Sequence, residues 1–77
     1  MRDKKITILG MARSGTAAAL LLQKHGAEVF VSEMKPYDKV APQAQTLEQA
    51  DIDFETGGHT ERALAAVDYV VVSPGIP

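Results

Sequence analysis

The fold of this 77-residue chain is decided by residues 6–15, which read ITILGMARSG. The run 6–9 is short, apolar and rich in β-branched side chains, so it predicts a strand that is buried on both faces of a parallel sheet. The run stops at Gly10, and a second glycine follows at Gly15. A buried strand, a glycine-rich turn and a helix in this order predict an α/β fold.

The rest of the chain continues to alternate strand and helix patterns. The predicted helices are residues 14–25, 42–50 and 60–66, and the further strands are 28–32, 52–54 and 68–72, with a loop at 35–40. We expect Ser14 and Thr60 to cap the first and third helices, and Pro42 to be tolerated in the first turn of the second. Such alternation indicates right-handed crossovers. It predicts a Rossmann-like three-layer domain whose parallel sheet has about four strands in the order 3-2-1-4.

Composition and charge limit the possible partners. With 45% hydrophobic and 23% charged residues, the chain has the composition of a globular protein. Its net charge of −2 provides no basic surface for nucleic acid or for an anionic membrane. It has no cysteine, which excludes disulfides and thiolate metal sites and fits a reducing compartment. No apolar run is long enough for a membrane span or a signal peptide, so we expect a cytoplasmic protein.

The predicted last strand raises a question of completeness. Residues 70–72 are three valines, apolar enough for the interior of a sheet, yet little sequence follows to cover the outer edge. An exposed apolar edge favours aggregation, and natural domains avoid it. We therefore expect this sequence to be a truncated piece of a longer protein. The alternative is that a partner completes the sheet, and edge-strand self-association of the piece is possible in either case.

The glycine-rich turn has the context of a phosphate-binding turn. Gly10 can adopt the tight turn, and Gly15 lets the helix pack closely on the sheet. The first N–H groups of a helix lack intrahelical partners and attract anions, while Ser14 adds a hydroxyl and Arg13 a guanidinium. Ala12 stands where dinucleotide sites place a glycine, which argues against NAD. The alternative is that the glycines serve only the packing of strand against helix.

An acidic residue follows the second predicted strand. Glu33 lies 23 positions after Gly10, and an acid there commonly accepts hydrogen bonds from a ribose or a base. The alternative is a solvated carboxylate at the end of a strand. Lys35 is expected to pair with Glu33, to reach the nucleotide or to be a plain surface lysine. For His59 we expect a loop or capping role rather than that of a ligand or base.

Four segments taken together resemble one family. They are residues 8–15 (ILGMARSG), 31–33 (VSE), 57–59 (GGH) and 71–77 (VVSPGIP). This combination resembles the N-terminal domain of the Mur ligases, in the branch that adds D-glutamate, over essentially the whole chain. The SPGIP ending is its most discriminating part. The family usually has glycine at the position of Ala12 and aspartate at that of Glu33.

The resemblance implies that this domain binds the UDP part of UDP-N-acetylmuramoyl-L-alanine. By position, the first helix turn would meet the diphosphate, the loop after the second strand would meet uracil and ribose, and the last loop would line the same pocket. The implied UDP-binding residues are Arg13, Ser14, Gly15, Glu33, Met34, Lys35, Ser73 and Gly75, with Gly10, Met11 and Ala12 forming the glycine turn.

The resemblance also implies an ATP-dependent ligase of peptidoglycan synthesis, in which ATP, Mg²⁺ and D-glutamate bind to domains that this sequence lacks. The chain has no ATP-binding P-loop, because Thr16 and Ala17 follow Gly15 where Lys and Ser/Thr are required. We therefore expect no catalytic residue, metal site or cofactor here, and a chain that is inactive alone. Two alternatives stay open: an NAD(P)-binding domain of an oxidoreductase or redox sensor, and an interaction or dimerisation module that binds no nucleotide.

Overall fold

The structure is a computed structural model that describes residues 3–72. Its core is a four-stranded parallel sheet with the order β3-β2-β1-β4. The strands are β1 (Lys5–Leu9), β2 (Glu28–Ser32), β3 (Asp53–Glu55) and β4 (Tyr69–Val72). The helices are α1 (Arg13–Lys24) and α2 (Ala41–Gln49), and two 3-10 turns span Tyr37–Lys39 and Glu61–Ala63. The predicted Rossmann-like strand order and the parallel sense are confirmed.

The hydrophobic core lies between the sheet and the two helices. Successive side chains of a strand point to opposite faces, so Ile6 and Ile8 share one face of β1 while Thr7 points to the other. The helix-side core comprises Ile6, Ile8, Met11, Ala19, Ala27, Val29, Val31, Val40, Ala44, Leu47 and Ile52. Thr7 is also fully buried, which confirms that β1 is covered on both faces.

The start of α1 corrects the predicted cap. Its N-cap is Ala12, which has an extended backbone (φ −72°, ψ 174°) and offers no side-chain hydrogen bond. The first helical bond runs from the Thr16 N–H to the Ala12 carbonyl at 2.9 Å. The prediction of Ser14 as the cap was therefore wrong. The helix begins directly after the glycine turn, which places Ser14 inside the first helical turn.

The predicted third helix does not form. Only Glu61–Ala63 adopt a 3-10 turn, and Ala66 has a left-handed backbone with φ 52°. Thr60 does cap this turn, since its hydroxyl accepts the Arg62 N–H at 3.3 Å. Helical stability comes mostly from packing an amphipathic face. Here Leu64 is 67% exposed, so the segment has little apolar surface to hold a helix against the sheet.

The second face of the sheet is covered by this 3-10 turn. Ala63 is buried there, and the Arg62 guanidinium lies 4.6 Å from the centre of the Phe30 ring. Within the part of the chain that is described, helices therefore pack against one face only. Among the same residues, the second face is covered by the single 3-10 turn Glu61–Ala63.

Two strand predictions differ in detail. β3 begins one residue later than predicted, because the Ile52 N–H bonds back to the Leu47 carbonyl at 2.9 Å and closes the end of α2. β4 also begins one residue later than predicted, at Tyr69 rather than at Asp68, and all four of its residues are exposed, as expected for an edge strand. Nothing in residues 3–72 forms a helix long and apolar enough to cross a membrane.

Candidate functional site

The glycine turn forms where β1 ends. Gly10 has φ 108°, a conformation that other residues rarely adopt. Its N–H bonds to the Ser32 carbonyl at 2.8 Å, so the turn is tied to the end of β2. Gly15 is buried in α1, as its predicted packing role requires. The turn therefore delivers the chain into α1 at the carboxyl edge of the sheet, where open α/β sheets bind their ligands.

Glu33 turns inward toward this glycine turn. Its side chain is 8% exposed, and Oε1 accepts the Met11 N–H at 2.6 Å. Oε2 accepts the Lys35 N–H at 2.8 Å. The alternative of a solvated carboxylate is therefore wrong. Glu33 joins the glycine turn to the loop that follows β2.

A cavity of about 400 Å³ opens beside the glycine turn. Three of its lining side chains are basic (Arg13, Lys35 and Lys39) and one is acidic (Glu33). The full lining is Gly10, Met11, Ala12, Arg13, Glu33, Lys35, Lys39, Val40 and Gln43. With each basic group carrying one positive charge and the acid one negative, the surplus is two positive charges. This surplus and the adjacent N-terminus of α1 both favour an anionic ligand.

The predicted site residues divide into three groups. Lining the cavity are Gly10, Met11, Ala12, Arg13, Glu33 and Lys35. Ser14 and Met34 are exposed and Gly15 is buried, and none of these three is part of the lining. Ser73 and Gly75 lie outside the described residues.

Lys39 also lines this cavity, although no sequence pattern singled it out. It belongs to the 3-10 turn Tyr37–Lys39, in a segment that the sequence pattern predicted to be a plain polar loop. The turn is closed by the bond from the Lys39 N–H to the Pro36 carbonyl at 3.0 Å. The folded turn is therefore what places Lys39 at the cavity.

A polar cluster lies next to the site, where β2 and β3 end. Glu55 accepts the Ser32 hydroxyl at 2.5 Å, the Thr60 hydroxyl at 2.5 Å and the Thr60 N–H at 2.9 Å. The Nδ1 atom of His59 is 2.6 Å from the Ser32 oxygen. Because the single Ser32 proton goes to Glu55, the His59 Nδ1 has to carry the hydrogen and donate it to Ser32. The loop role predicted for His59 is confirmed.

The carboxylate of this cluster is stabilised in its charged form. Burial raises the pKa of Glu55, but the hydrogen bonds from Ser32 and Thr60 and the nearby charge of Arg62 lower it by more. The pKa therefore lies below its ordinary value of 4.5. Ser32 is fully buried, so this cluster holds a loop and presents no accessible nucleophile.

The loop after β3 bonds to the loop after β2 and so holds that part of the cavity lining in place. Besides the cluster, the Gly57 N–H bonds to the Lys35 carbonyl at 2.8 Å and the Gly58 N–H to the Glu33 carbonyl at 3.1 Å. Gly57 has φ 82° and Gly58 has φ 142°, so the turn depends on glycine. Sequence reasoning missed this support. Ser32 pairs with Glu55 in the sheet register, a contact between residues 23 positions apart that no local pattern indicates.

Comparison with known proteins identifies the family. A family model described as the MurD N-terminal domain matches residues 5–77, which is nearly the whole chain. The chain belongs to the MurD N-terminal domain family. This confirms the resemblance to the Mur ligases in the branch that adds D-glutamate.

Three curated relatives of this MurD N-terminal domain share the name UDP-N-acetylmuramoylalanine–D-glutamate ligase. The protein of that name from Chlorobium limicola is 51% identical over 77 residues, which is 100% of this chain and 16% of the relative. That from Salinibacter ruber is 47% identical over 78 residues (100% and 16%), and that from Geotalea uraniireducens 44% over 75 residues (97% and 17%). The chain thus spans about a sixth of the length of these relatives.

Proposed function

We propose that this chain binds the UDP part of UDP-N-acetylmuramoyl-L-alanine, as the N-terminal domain of an ATP-dependent ligase. The ligase would add D-glutamate during peptidoglycan synthesis in the cytoplasm. One observation carries the proposal: a member of the MurD N-terminal domain family has a cavity with three basic side chains beside the N-terminus of α1.

The diphosphate is the part of UDP that this cavity suits best. Arg13 extends from the first residue of α1, where its guanidinium can grip two phosphate oxygens at once. Lys35 and Lys39 add two point charges from the other segment of the lining. The positive end of the α1 dipole acts in the same direction.

The loop after β2 is the part that we assign to the uracil and ribose. Glu33, Met34 and Lys35 form this loop, and backbone bonds from Gly57 and Gly58 hold it in place. Met34 is 63% exposed, which leaves its side chain available to cover a base. Ser14, Gly15, Ser73 and Gly75 remain part of the proposed site on the family resemblance alone.

The chemical step is assigned to other parts of the longer enzyme. Over residues 3–72 there is no group of three His, Cys, Asp or Glu side chains placed to hold a metal ion. The turn at residues 10–15 also lacks the lysine of an ATP-binding loop. These residues do not fit ATP with Mg²⁺, so we derive no step through either. We propose that ATP, Mg²⁺ and D-glutamate bind elsewhere in the longer protein and that this chain alone is inactive.

A titration followed by NMR tests the proposal. The ¹⁵N-labelled chain is titrated separately with UDP, UDP-N-acetylmuramoyl-L-alanine and NAD. We expect UDP and the full substrate to shift resonances of residues 10–15, Lys35 and Lys39, with NAD giving no such response. A response to NAD without one to UDP supports a dinucleotide-binding domain instead. No response to any of the three, with a dimer in light scattering, supports an interaction module.

Replacing Arg13 tests the diphosphate contact directly. Arg13→Ala should weaken UDP binding by roughly 1–3 kcal/mol, the usual loss for a charge-assisted hydrogen bond. The matched control is Arg62→Ala, because Arg62 stacks on Phe30 at the opposite face of the sheet. Equal UDP affinity in wild type and Arg13→Ala would remove Arg13 from the site.

A further inference from the structure

We propose that Glu33 is a positioning residue that sets the shape and the specificity of the cavity. Its buried carboxylate fixes the glycine turn relative to the loop after β2. The inference rests on the proposed function and deepens it: Glu33 would act on UDP through the two segments that it joins. This positioning role also distinguishes the site from dinucleotide sites, in which the corresponding acid binds a ribose hydroxyl.

The geometry supports a link between two segments. The N–H groups that Glu33 accepts belong to Met11 and Lys35, and Met11 is 22 positions away in the sequence. Both bonds are short and charge-assisted, at 2.6 and 2.8 Å. An acid that binds a ribose has to direct its oxygens into the cavity. Glu33 directs one oxygen to each backbone N–H, and its side chain is 8% exposed.

The two segments that Glu33 joins are those that supply the basic groups. Arg13 follows Met11 by two residues, and Lys35 is itself one of the bonded residues. A shift of either segment would change the separation between the cations that face a diphosphate. Holding that separation before the ligand arrives lowers the ordering cost of binding.

Neutralising Glu33 tests the inference, because a role through charge and a role through positioning predict opposite changes in UDP affinity. Glu33 is the one acid in a cavity lining that also contains Arg13, Lys35 and Lys39. Glu55 and His59 are not part of this lining and bond instead to Ser32. If Glu33 acted only through its charge, Glu33→Gln would remove a repulsion and tighten UDP binding. If it acts by position, the same change weakens binding, because a glutamine amide can accept only at its single oxygen.

The experiment compares ¹⁵N spectra and UDP affinities of wild type, Glu33→Gln and the control Glu28→Gln. Glu28 lies at the other end of β2, is exposed and makes a 3.7 Å ion pair with Lys5. For Glu33→Gln we expect the Met11 or Lys35 amide proton to move upfield and the UDP affinity to fall roughly tenfold, about 1.4 kcal/mol. Glu28→Gln should leave both unchanged. An unchanged or tighter affinity in folded Glu33→Gln overturns the inference.

Glu33→Asp provides a second test that also covers a Glu33→Gln chain that fails to fold. Aspartate readily bonds to the N–H two residues ahead, so the Lys35 bond should survive. The side chain is one methylene shorter, so the Met11 bond should weaken and the Met11 resonance should move more than that of Lys35. UDP affinity should fall less than in Glu33→Gln, as expected of a conservative rescue. A displaced Met11 resonance with an unchanged UDP affinity contradicts the inference.

Failure of the proposed function is recognised separately. If UDP shifts no resonance of the wild-type chain, the UDP assignment is overturned, whatever the variants show. The link between Glu33 and the two segments is judged from the Met11 and Lys35 amide protons without any ligand. If both stay at their wild-type positions in folded Glu33→Gln, the positioning role is overturned even when UDP binds.

Discussion

Replacing Glu55 by glutamine should destabilise the fold in a manner that depends on pH. The Glu55 carboxylate accepts three hydrogen bonds, one from Ser32 and two from Thr60. Glu55→Gln keeps the size of the side chain but removes its charge and one accepting oxygen. Because burial raises the pKa of Glu55 and the hydrogen bonds lower it by more, the folded state favours the charged form.

The magnitude follows from the number of bonds and from their exposure. A hydrogen bond to a charged group contributes about 1.5–3 kcal/mol when well buried. Glu55 is only partly buried, and solvent screening reduces such contributions toward those of surface pairs. We therefore expect Glu55→Gln to lower the free energy of unfolding by about 1–2 kcal/mol at pH 7. A chain of this length has about 4–12 kcal/mol in total, and each kcal/mol corresponds to about 4–8 °C in Tm.

Urea denaturation followed by circular dichroism measures the effect. A lowered folded-state pKa gives stability that is present above the ordinary value of 4.5 and is lost as pH falls through the folded pKa. The difference between wild type and Glu55→Gln should therefore be full at pH 7 and shrink below pH 4.5. Asp53→Asn is the matched control, since Asp53 is an exposed acid two residues earlier in β3. Equal stabilities at pH 7, or a difference that persists undiminished in strong acid, would refute the reasoning.

Three further changes test the core, the turn after β3 and the free edge. Leu47 is fully buried, so Leu47→Ala should lower the free energy of unfolding, measured by urea denaturation, by about 2–5 kcal/mol. The control Leu64→Ala, at a side chain that is 67% exposed, should lower it by about 0.5 kcal/mol or less. Gly57→Ala should lower the free energy of unfolding by about 1 kcal/mol in the same assay. The loss comes from the backbone φ of 82° alone, because nothing lies within 4 Å of the added methyl group. An unchanged denaturation midpoint would contradict this. Val71→Lys, on the exposed strand β4, should abolish any concentration-dependent association seen by sedimentation. A wild-type chain that stays monomeric at high concentration would instead end the expectation of self-association.

The sheet was predictable because its signals are local. The apolar β-branched runs of β1 and β2 are buried in the folded chain as their composition requires. Alternation with helices then indicated parallel crossovers, and the order 3-2-1-4 was taken from the Rossmann half-fold. The third helix was wrongly predicted because helix propensity is a local property of residues 60–66. Whether these residues pack against the sheet depends on the rest of the fold, and here Leu64 stays exposed. The cap was assigned to Ser14 because hydroxyl residues usually cap, whereas the chain here enters α1 from Ala12 with no side-chain cap.

The candidate site was predictable in its location and not in its contacts. Gly10 and Arg13 lie at the cavity, as a turn between a strand and a helix requires. The inward direction of Glu33 depends on the Met11 N–H, 22 positions away, and no local pattern encodes that contact. The bonds of Ser32 to Glu55 and His59 likewise join residues that are 23 and 27 positions apart.

The central place of β1 has a consequence for how the chain emerges from the ribosome. One neighbour of β1 is β4, and the bond from the Lys5 N–H to the Asp68 carboxylate spans 63 positions. At about 5–20 residues per second, synthesis of that interval takes roughly 3–13 s. During this time one hydrogen-bonding edge of the strand that carries Ile6 and Ile8 is open to other nascent chains. A released chain that ends before Tyr69 should leave this edge open and depend on chaperones, whereas a released chain that includes Val72 closes it with β4.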